Sequence, residues 1–468
     1  MRSRGSVTGP LVLILLGFVF LVRAISPDFR ITDLIARYWP YALILWGVIA
    51  FLEVCIRFRG NGPIPRNGIP GGGWVVVVFV ALVGSSLYEF QRPDNWLRQV
   101  GFESGLETFG ETHEYPVSEI TRTVGAAPRI IIEDFRGDVK ISGTDGTGLS
   151  LTGQKNIGSF DRRDADKADS QSPVEVLTAG NTVTIRCHQD RLGTHTSVST
   201  NLDLDVPKGA SIEASDSRGS IDISSVSGDV ELNGGNIDEI QLDDVGGNIK
   251  VDTRGTHSIR CSNVKGTIDL HGRGTDVELE NIAGQVTLGG DYTGTVSLRA
   301  LAKPVRLESM RTQLDARQVT GYIRLDRGSL DAKDLVGPVK LSTHATDVTL
   351  AGFTDALDLD VDRGDIELRP EHSAMGRIAV HARSGNIELA VTPTAHFALN
   401  ADTENGEIDN QLGDGLKESS EGRGARLEGS VGSGPDVNLV TQHGSITVRK
   451  ATSEETSDAK AAAVRLDQ

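Results

Sequence analysis

The chain has 468 residues, 54 of them Gly, with 5% aromatics, three Cys and a net charge of -17. That length suits two or three domains, and the glycines follow no collagen-like G-X-Y period, Pro-rich tract or low-complexity run. An acidic chain is excluded as a phosphate-neutralising nucleic-acid binder, and regularly spaced turns are left to account for the glycine.

The first ninety residues differ in kind from the rest. Apolar runs at 11–22, 38–51 and 74–88 reach spanning length with short flanks, which predicts three transmembrane helices over 7–25, 38–57 and 72–90. Arg2 and Arg4 precede the first run, and Arg57, Arg59 and Arg66 lie between the second and third. The positive-inside rule therefore puts the N-terminus and second loop in the cytoplasm and the chain after Tyr88 outside it. Tyr38, Trp39, Trp74 and Tyr88 read as interface anchors in the bilayer. The segments GPLVLILLGFVFLV (9–22) and RYWPYALILWGVIAFLEV (37–54) resemble the membrane region of LiaI/LiaF-type envelope-stress proteins. The third run is an addition to that two-span pattern.

Residues 91–126 are polar without period and read as a juxtamembrane linker. A β-rich part follows over 127–206, with strand signals in RIIIEDF (129–135), GDVKI (137–141), LSLTG (149–153) and VTIRC (183–187). The charged stretch 161–172 between them reads as a surface loop. Cys55, Cys187 and Cys261 have neither a CxxC metal spacing nor an even-numbered disulfide framework, and read as buried thiols.

A five-residue unit, Gly-x-[Ile/Val]-x-[Leu/Val], recurs over 207–450, as in GDVEL at 228, GNIKV at 247, GTIDL at 266, GQVTL at 284, GDIEL at 364 and GNIEL at 385. Most units start nine or ten residues apart. Period-two alternation turns the third and fifth residues inward and the charged fourth outward. A lone strand of this length cannot bury its apolar face, but stacked copies can, so the repeat predicts an all-β fold, a parallel β-solenoid of 9–10-residue half-repeats. Glycine would open each unit by supplying a positive φ. The last residues, 451–468, have no apolar period and read as a disordered tail.

The stretch VPKGASIEASDSRGSIDISSVSGDVELNGGNIDEIQLDDVGGNIKV (206–251) resembles the DUF4097 family of β-strand-repeat proteins, called adhesins from their shape. The resemblance extends over about 127–450. It implies a repeat domain held outside a membrane anchor, and no catalytic residues.

The residues themselves offer no chemistry to set against that. Asp243-Asp244 lacks the Gly-His-Gly and Arg-x-Lys of a polygalacturonase-type site, HGRGTDVEL (271–279) departs from calcium-coil spacing, and the ten His form no HExxH. The expectation is no enzyme, no cofactor and no metal. One surface feature is sharper. If the units alternate strictly between two columns, Arg306, Arg324 and Lys340 stack on successive coils as an anion-binding strip. The sequence thus predicts a membrane-anchored binding, adhesion or scaffold module at the bacterial cell envelope, with an envelope polymer or a membrane protein as partner. Two alternatives stand beside it: an envelope-stress regulator working through the membrane region, and a polysaccharide-active β-helix enzyme.

Overall fold

The computed structural model describes residues 111–452, apart from 134, 160, 190–196, 372–374 and 414. The three apolar runs, their aromatic anchors, most of the linker and nearly all of the tail lie outside the described residues. Among the described residues no helix is long and apolar enough to cross a membrane.

The five-residue units become strands stacked in two ladders. One ladder runs in parallel through Thr182–Arg186, Arg129–Glu133, Ser211–Ser215, Val230–Asn233, the front of Ile249–Val264 and of Ile268–Ile282, Val286–Tyr292 and Val305–Glu308. The other runs through Ser197–Pro207, Val139–Thr144, Arg218–Val226, Asn236–Val245, the back of the same two long strands and Val296–Leu301. Partners one coil apart are mostly 18 or 19 residues apart in sequence, two half-repeats per coil, and 21 apart from Leu357 to Ile378 and from Ile366 to Ile387. The inward positions Val230, Leu232, Ile249, Val251, Ile268 and Leu270 are all at most 1% exposed, in one continuous core. Each contributes about 1.5–3 kcal/mol, so the core needs few aromatics.

The glycines serve the expected purpose at some units and a second one at others: Gly219, Gly337, Gly364, Gly385 and Gly444 open theirs with φ of 108, 88, 141, 150 and 147°. Gly228, Gly247, Gly266 and Gly284 stack on one another, and a Cβ on any of them would stand 1.9–2.3 Å from a carbonyl oxygen of the coil it packs on. Close approach of backbone to backbone excludes every side chain there. In the coils of these four glycines the left-handed corner falls to non-glycine residues, Ser225, Asp244, Asn263, Asn281 and Ala300, with φ of 58, 52, 55, 56 and 49°, each just before a buried Val, Ile or Leu. Asp, Asn and Ser tolerate this region because their short side chains bond locally.

Those side chains also link the coils. Asn248 accepts the amide N–H of Thr267 at 3.0 Å, while its own amide N–H goes to Asp229 at 2.7 Å. The same step recurs from Asp347 to Asp365, Asn386 and Ser445. At the left-handed corner, the Ser262 hydroxyl and the Asn263 amide donate to Asp243, and Asn281 donates to Asn263. The donation from Ser262 and Asn263 holds the Asp243 carboxyl below its ordinary pKa.

Strict alternation breaks at one coil. The strand Thr312–Leu325 runs antiparallel to Val305–Glu308 and Val296–Leu301 below it and to Ser329–Thr343 above it. Parallel stacking resumes with Asp347–Ala351, Leu357–Arg363, Ile366–Arg369, Ile378–Ser384 and Ile387–Val391. The ends are also out of sequence order. Asp436–His443 and Ile446–Lys450 insert between Ile378–Val391 and the strands Phe397–Asn405 and Ile408–Asn410, and Arg129–Glu133 sits between Thr182–Arg186 and Ser211–Ser215. The solenoid is therefore mixed rather than wholly parallel.

Two local expectations are corrected. The strand Glu111–Thr123 falls within the stretch read as linker; its half-buried Val117 and Ile120 pack on the core although the segment is mostly polar. Residues read as a loop form the helix Arg162–Gln171, whose Ala165 and Ala168 are buried with Ile157 and Val198. Two alanines three apart were too little apolar signal to mark a helix face.

Gly266→Ala should cost about 3 kcal/mol or more in urea denaturation, because its Cβ meets fixed backbone rather than a movable side chain. Gly328→Ala, with nothing near its Cβ, should stay within about 1 kcal/mol of wild type. Asp243 has a depressed folded pKa, so its contribution is complete above the unfolded carboxylate value and is lost as pH falls through the folded one. Ser262→Ala should raise the Asp243 titration midpoint, followed by carboxyl NMR, and reduce the loss of stability on acidification.

Candidate ligand-binding faces

The outward fourth positions form two charged rows. On the first ladder the row reads Glu231, Lys250, Asp269, Thr287, Arg306, Asp315, Lys340, Asp358, Ala379. On the second it reads Asp222, Gln241, Arg260, Glu278, Ser297, Arg324, Asp331, Thr349, Glu367, Glu388. Charges of opposite sign are neighbours along most of the first row. Lys250 bridges Glu231 at 3.0 Å and Arg306 faces Asp315 at 3.7 Å. A bond from Asn233, then one from Lys250, holds the Glu231 carboxyl below its usual range.

The expected strip of Arg306, Arg324 and Lys340 is not what the register produces. The reversed strand meets the two ladders in the opposite order, so Asp315 joins the first row and Arg324 the second. Arg306 and Lys340 are thus separated by a carboxylate, and Arg324 lies between Ser297 and Asp331 with its guanidinium 3.1 Å from Asp326. No pattern within the unit marks the reversal. Its signals are the two hairpins, closed by Ser309 N–H to Thr312 and Asp326 N–H to Ser329.

Two grooves open beside the rows. One, about 610 Å³, lies where Gly272, Gly289 and Gly290 leave a corner without side chains, between Arg254, Arg273 and Glu308. The other, about 550 Å³, lies over the reversed coil, among Pro304, Arg317, Pro338, Lys340, Ala356 and Arg377. Asp315 and Asp358 also line it. Arg317 and Arg377 were missed from sequence because neither holds the outward fourth position: Arg317 follows Ala316 at the end of its unit, and Arg377 precedes Ile378.

Among the described residues no three His, Cys, Asp or Glu side chains gather as metal ligands. Asp243 and Asp244, weighed as a catalytic pair, occupy a corner, Asp243 holding Ser262 and Asn263 and Asp244 supplying the left-handed turn. Burial pushes the thiols of Cys187 and Cys261 up to about 12, with Lys155 partly offsetting it at Cys187. Neither is a thiolate at neutral pH.

A family model described as Toastrack DUF4097 matches residues 329–449. The match opens at Ser329, the first residue of the strand that follows the reversed coil, and lies downstream of the 206–251 stretch on which the sequence resemblance rests. A comparison with curated proteins finds no match. Among solved structures, a "putative adhesin" from Parabacteroides distasonis is 11% identical, covering 72% of this chain and 97% of its own, with a TM-score of 0.23. A "putative cell adhesion protein" from Clostridium sporogenes is 10% identical over 72% of this chain and 100% of its own, with a TM-score of 0.18. A "putative lipid binding protein" from Parabacteroides distasonis is 10% identical over 73% and 98%, also at 0.18.

Asp315→Lys tests the register by sign. Between Arg306 and Lys340 it should destabilise by about 0.5–1 kcal/mol at low salt, a loss that high salt reduces. Strict alternation would instead set the new cation beside Asp331 and make it stabilising.

Proposed function

We propose that the chain is a bacterial membrane-anchored protein whose β-stack stands outside the cytoplasmic membrane as a binding, adhesion or scaffold module of the cell envelope. The observation that carries this reading is the pair of outward rows. The core holds the apolar side chains inside, and each coil offers charged side chains at one strand spacing, about 4.8 Å, on a backbone that is hydrogen-bonded on both sides. Such a face suits an extended, repetitive partner better than a compact small molecule. The Toastrack match over 329–449 supports a repeat module. The apolar runs and arginine placement within residues 1–90 support the anchor and its orientation. Of the two adjacent carboxylates weighed as a catalytic pair, Asp243 is engaged in corner hydrogen bonds, which favours binding over catalysis.

Topology is testable with a single surface thiol. Cys187 and Cys261 are buried and protonated, so a Cys55→Ser background leaves little reactive thiol. In that background Ser419→Cys, on the exposed strand Leu416–Glu421, should react with a membrane-impermeant maleimide in intact cells. Labelling only after lysis would overturn the exported placement.

A further inference from the structure

We infer that the groove over the reversed coil binds an extended polyanion, a linear chain bearing phosphate or carboxylate groups at regular intervals. The inference deepens the binding-module reading and rests on it.

The groove is built by a defect in the ladder. Between Thr312–Leu325 and Ser329–Thr343 the register shifts between Ala316 and Gln318, so Gly337 and Pro338 together oppose Arg317. A bulge of this kind re-aims a side chain. Gly337 has φ +88°, and a Cβ there would stand 2.8 Å from both Cβ and Cδ of Arg317. The Arg317 stem is thus bedded on bare backbone, with its guanidinium carried to the groove wall. On the far side Gly376 passes over the backbone of Asp355, 2.3 Å from where its own Cβ would be, and sets Arg377 beside the small Ala356 and Ala379.

Arg317, Lys340 and Arg377 are all exposed, and among the described residues none of them makes an ion pair. They line the groove with Asp315 and Asp358, and Arg306 flanks it, already facing Asp315. The local charge is positive on a chain whose net charge is -17. The segment 299–340 carries nine Lys and Arg against five Asp and Glu, whereas 202–298 carries seven against seventeen. Lys340 lies two strand spacings from Arg306, about 9.5 Å, and Arg377 three from Arg317, about 14 Å. Cations at such intervals suit a chain with spaced anionic groups, and the flanking acidic coils repel a polyanion that strays from the groove.

The test uses the full-length protein in detergent micelles at low salt, with linear polyphosphate and polygalacturonate as probes and orthophosphate as the monomeric control. Wild type should bind at least one polymer more tightly than orthophosphate, and more weakly as salt is raised; the preferred polymer assigns the anionic group. Arg317→Glu with Arg377→Glu should weaken binding at least tenfold, and the double Gln variant by less, with unchanged circular dichroism. Arg218→Glu with Lys265→Glu makes the same charge change elsewhere and should alter binding less than twofold. Equal losses in the two Glu pairs, absence of polymer binding by wild type, or binding only to anionic lipid vesicles would each overturn the inference. A positive maleimide result beside any of these outcomes would leave the exported placement standing and remove the groove alone.

Discussion

Everything in this stack depends on carrying one coil's backbone over the next at the spacing of a hydrogen-bonded strand pair, about 4.8 Å. Along a strand that spacing is easily met, because side chains point away from the ladder. At the corners it is not, and the sequence meets it with three devices in fixed places. Glycine stands where backbone passes over backbone, as at Gly247 and Gly266. A residue tolerant of left-handed geometry turns the chain, as at Asp244 and Asn263. An Asp or Asn then accepts the next coil's amide, as Asn248 does from Thr267. The apolar interior follows from these, since only coils in register stack Ile on Ile and Leu on Leu.

The reversed coil shows what the register controls outside the core. Its inward residues Leu314, Ala316 and Ile323 are as buried as those of the parallel coils, so the interior is indifferent to strand direction. The surface is not. Running Thr312–Leu325 backwards exchanges Asp315 and Arg324 between the two rows, turning a stretch of adjacent cations into alternation. The bulge beside Gly337 is the local cost of joining opposed strands, and it is also what leaves Arg317 outside the alternation.

Much of the architecture was legible because period-two alternation and an 18- or 19-residue coil are written directly in residue type. Most of the fourth-position rows were readable for the same reason; the exchange of Asp315 with Arg324 and the insertion of Thr447 between Glu388 and Asp409 were not. Strand direction was not readable, because a five-residue apolar alternation is nearly the same forwards and backwards; TQLDA at 312 and GYIRL at 321 look like ordinary or degenerate units. The order of the end strands was also hidden, since Asp436–Lys450 stacks on Ile378–Val391 across a long separation that no local pattern encodes. The second position of the unit did carry a signal that the motif's "x" concealed: Asp229, Asn248 and Thr267, then Asp365, Asn386 and Ser445, are the residues that bond coil to coil.

The direction of the ladder bonds has a mechanical consequence. Every inter-strand hydrogen bond lies along the stacking axis, and every strand lies across it. Tension applied along the axis opens one rung at a time, each held by a few bonds, whereas tension along the strands loads all the bonds of a rung together in shear. The fold is therefore compliant in one direction and stiff in the other. Long strands such as Ile249–Val264 and Ile268–Ile282, which run through both ladders with one register shift between Thr253 and Thr256, tie the two ladders together against shear.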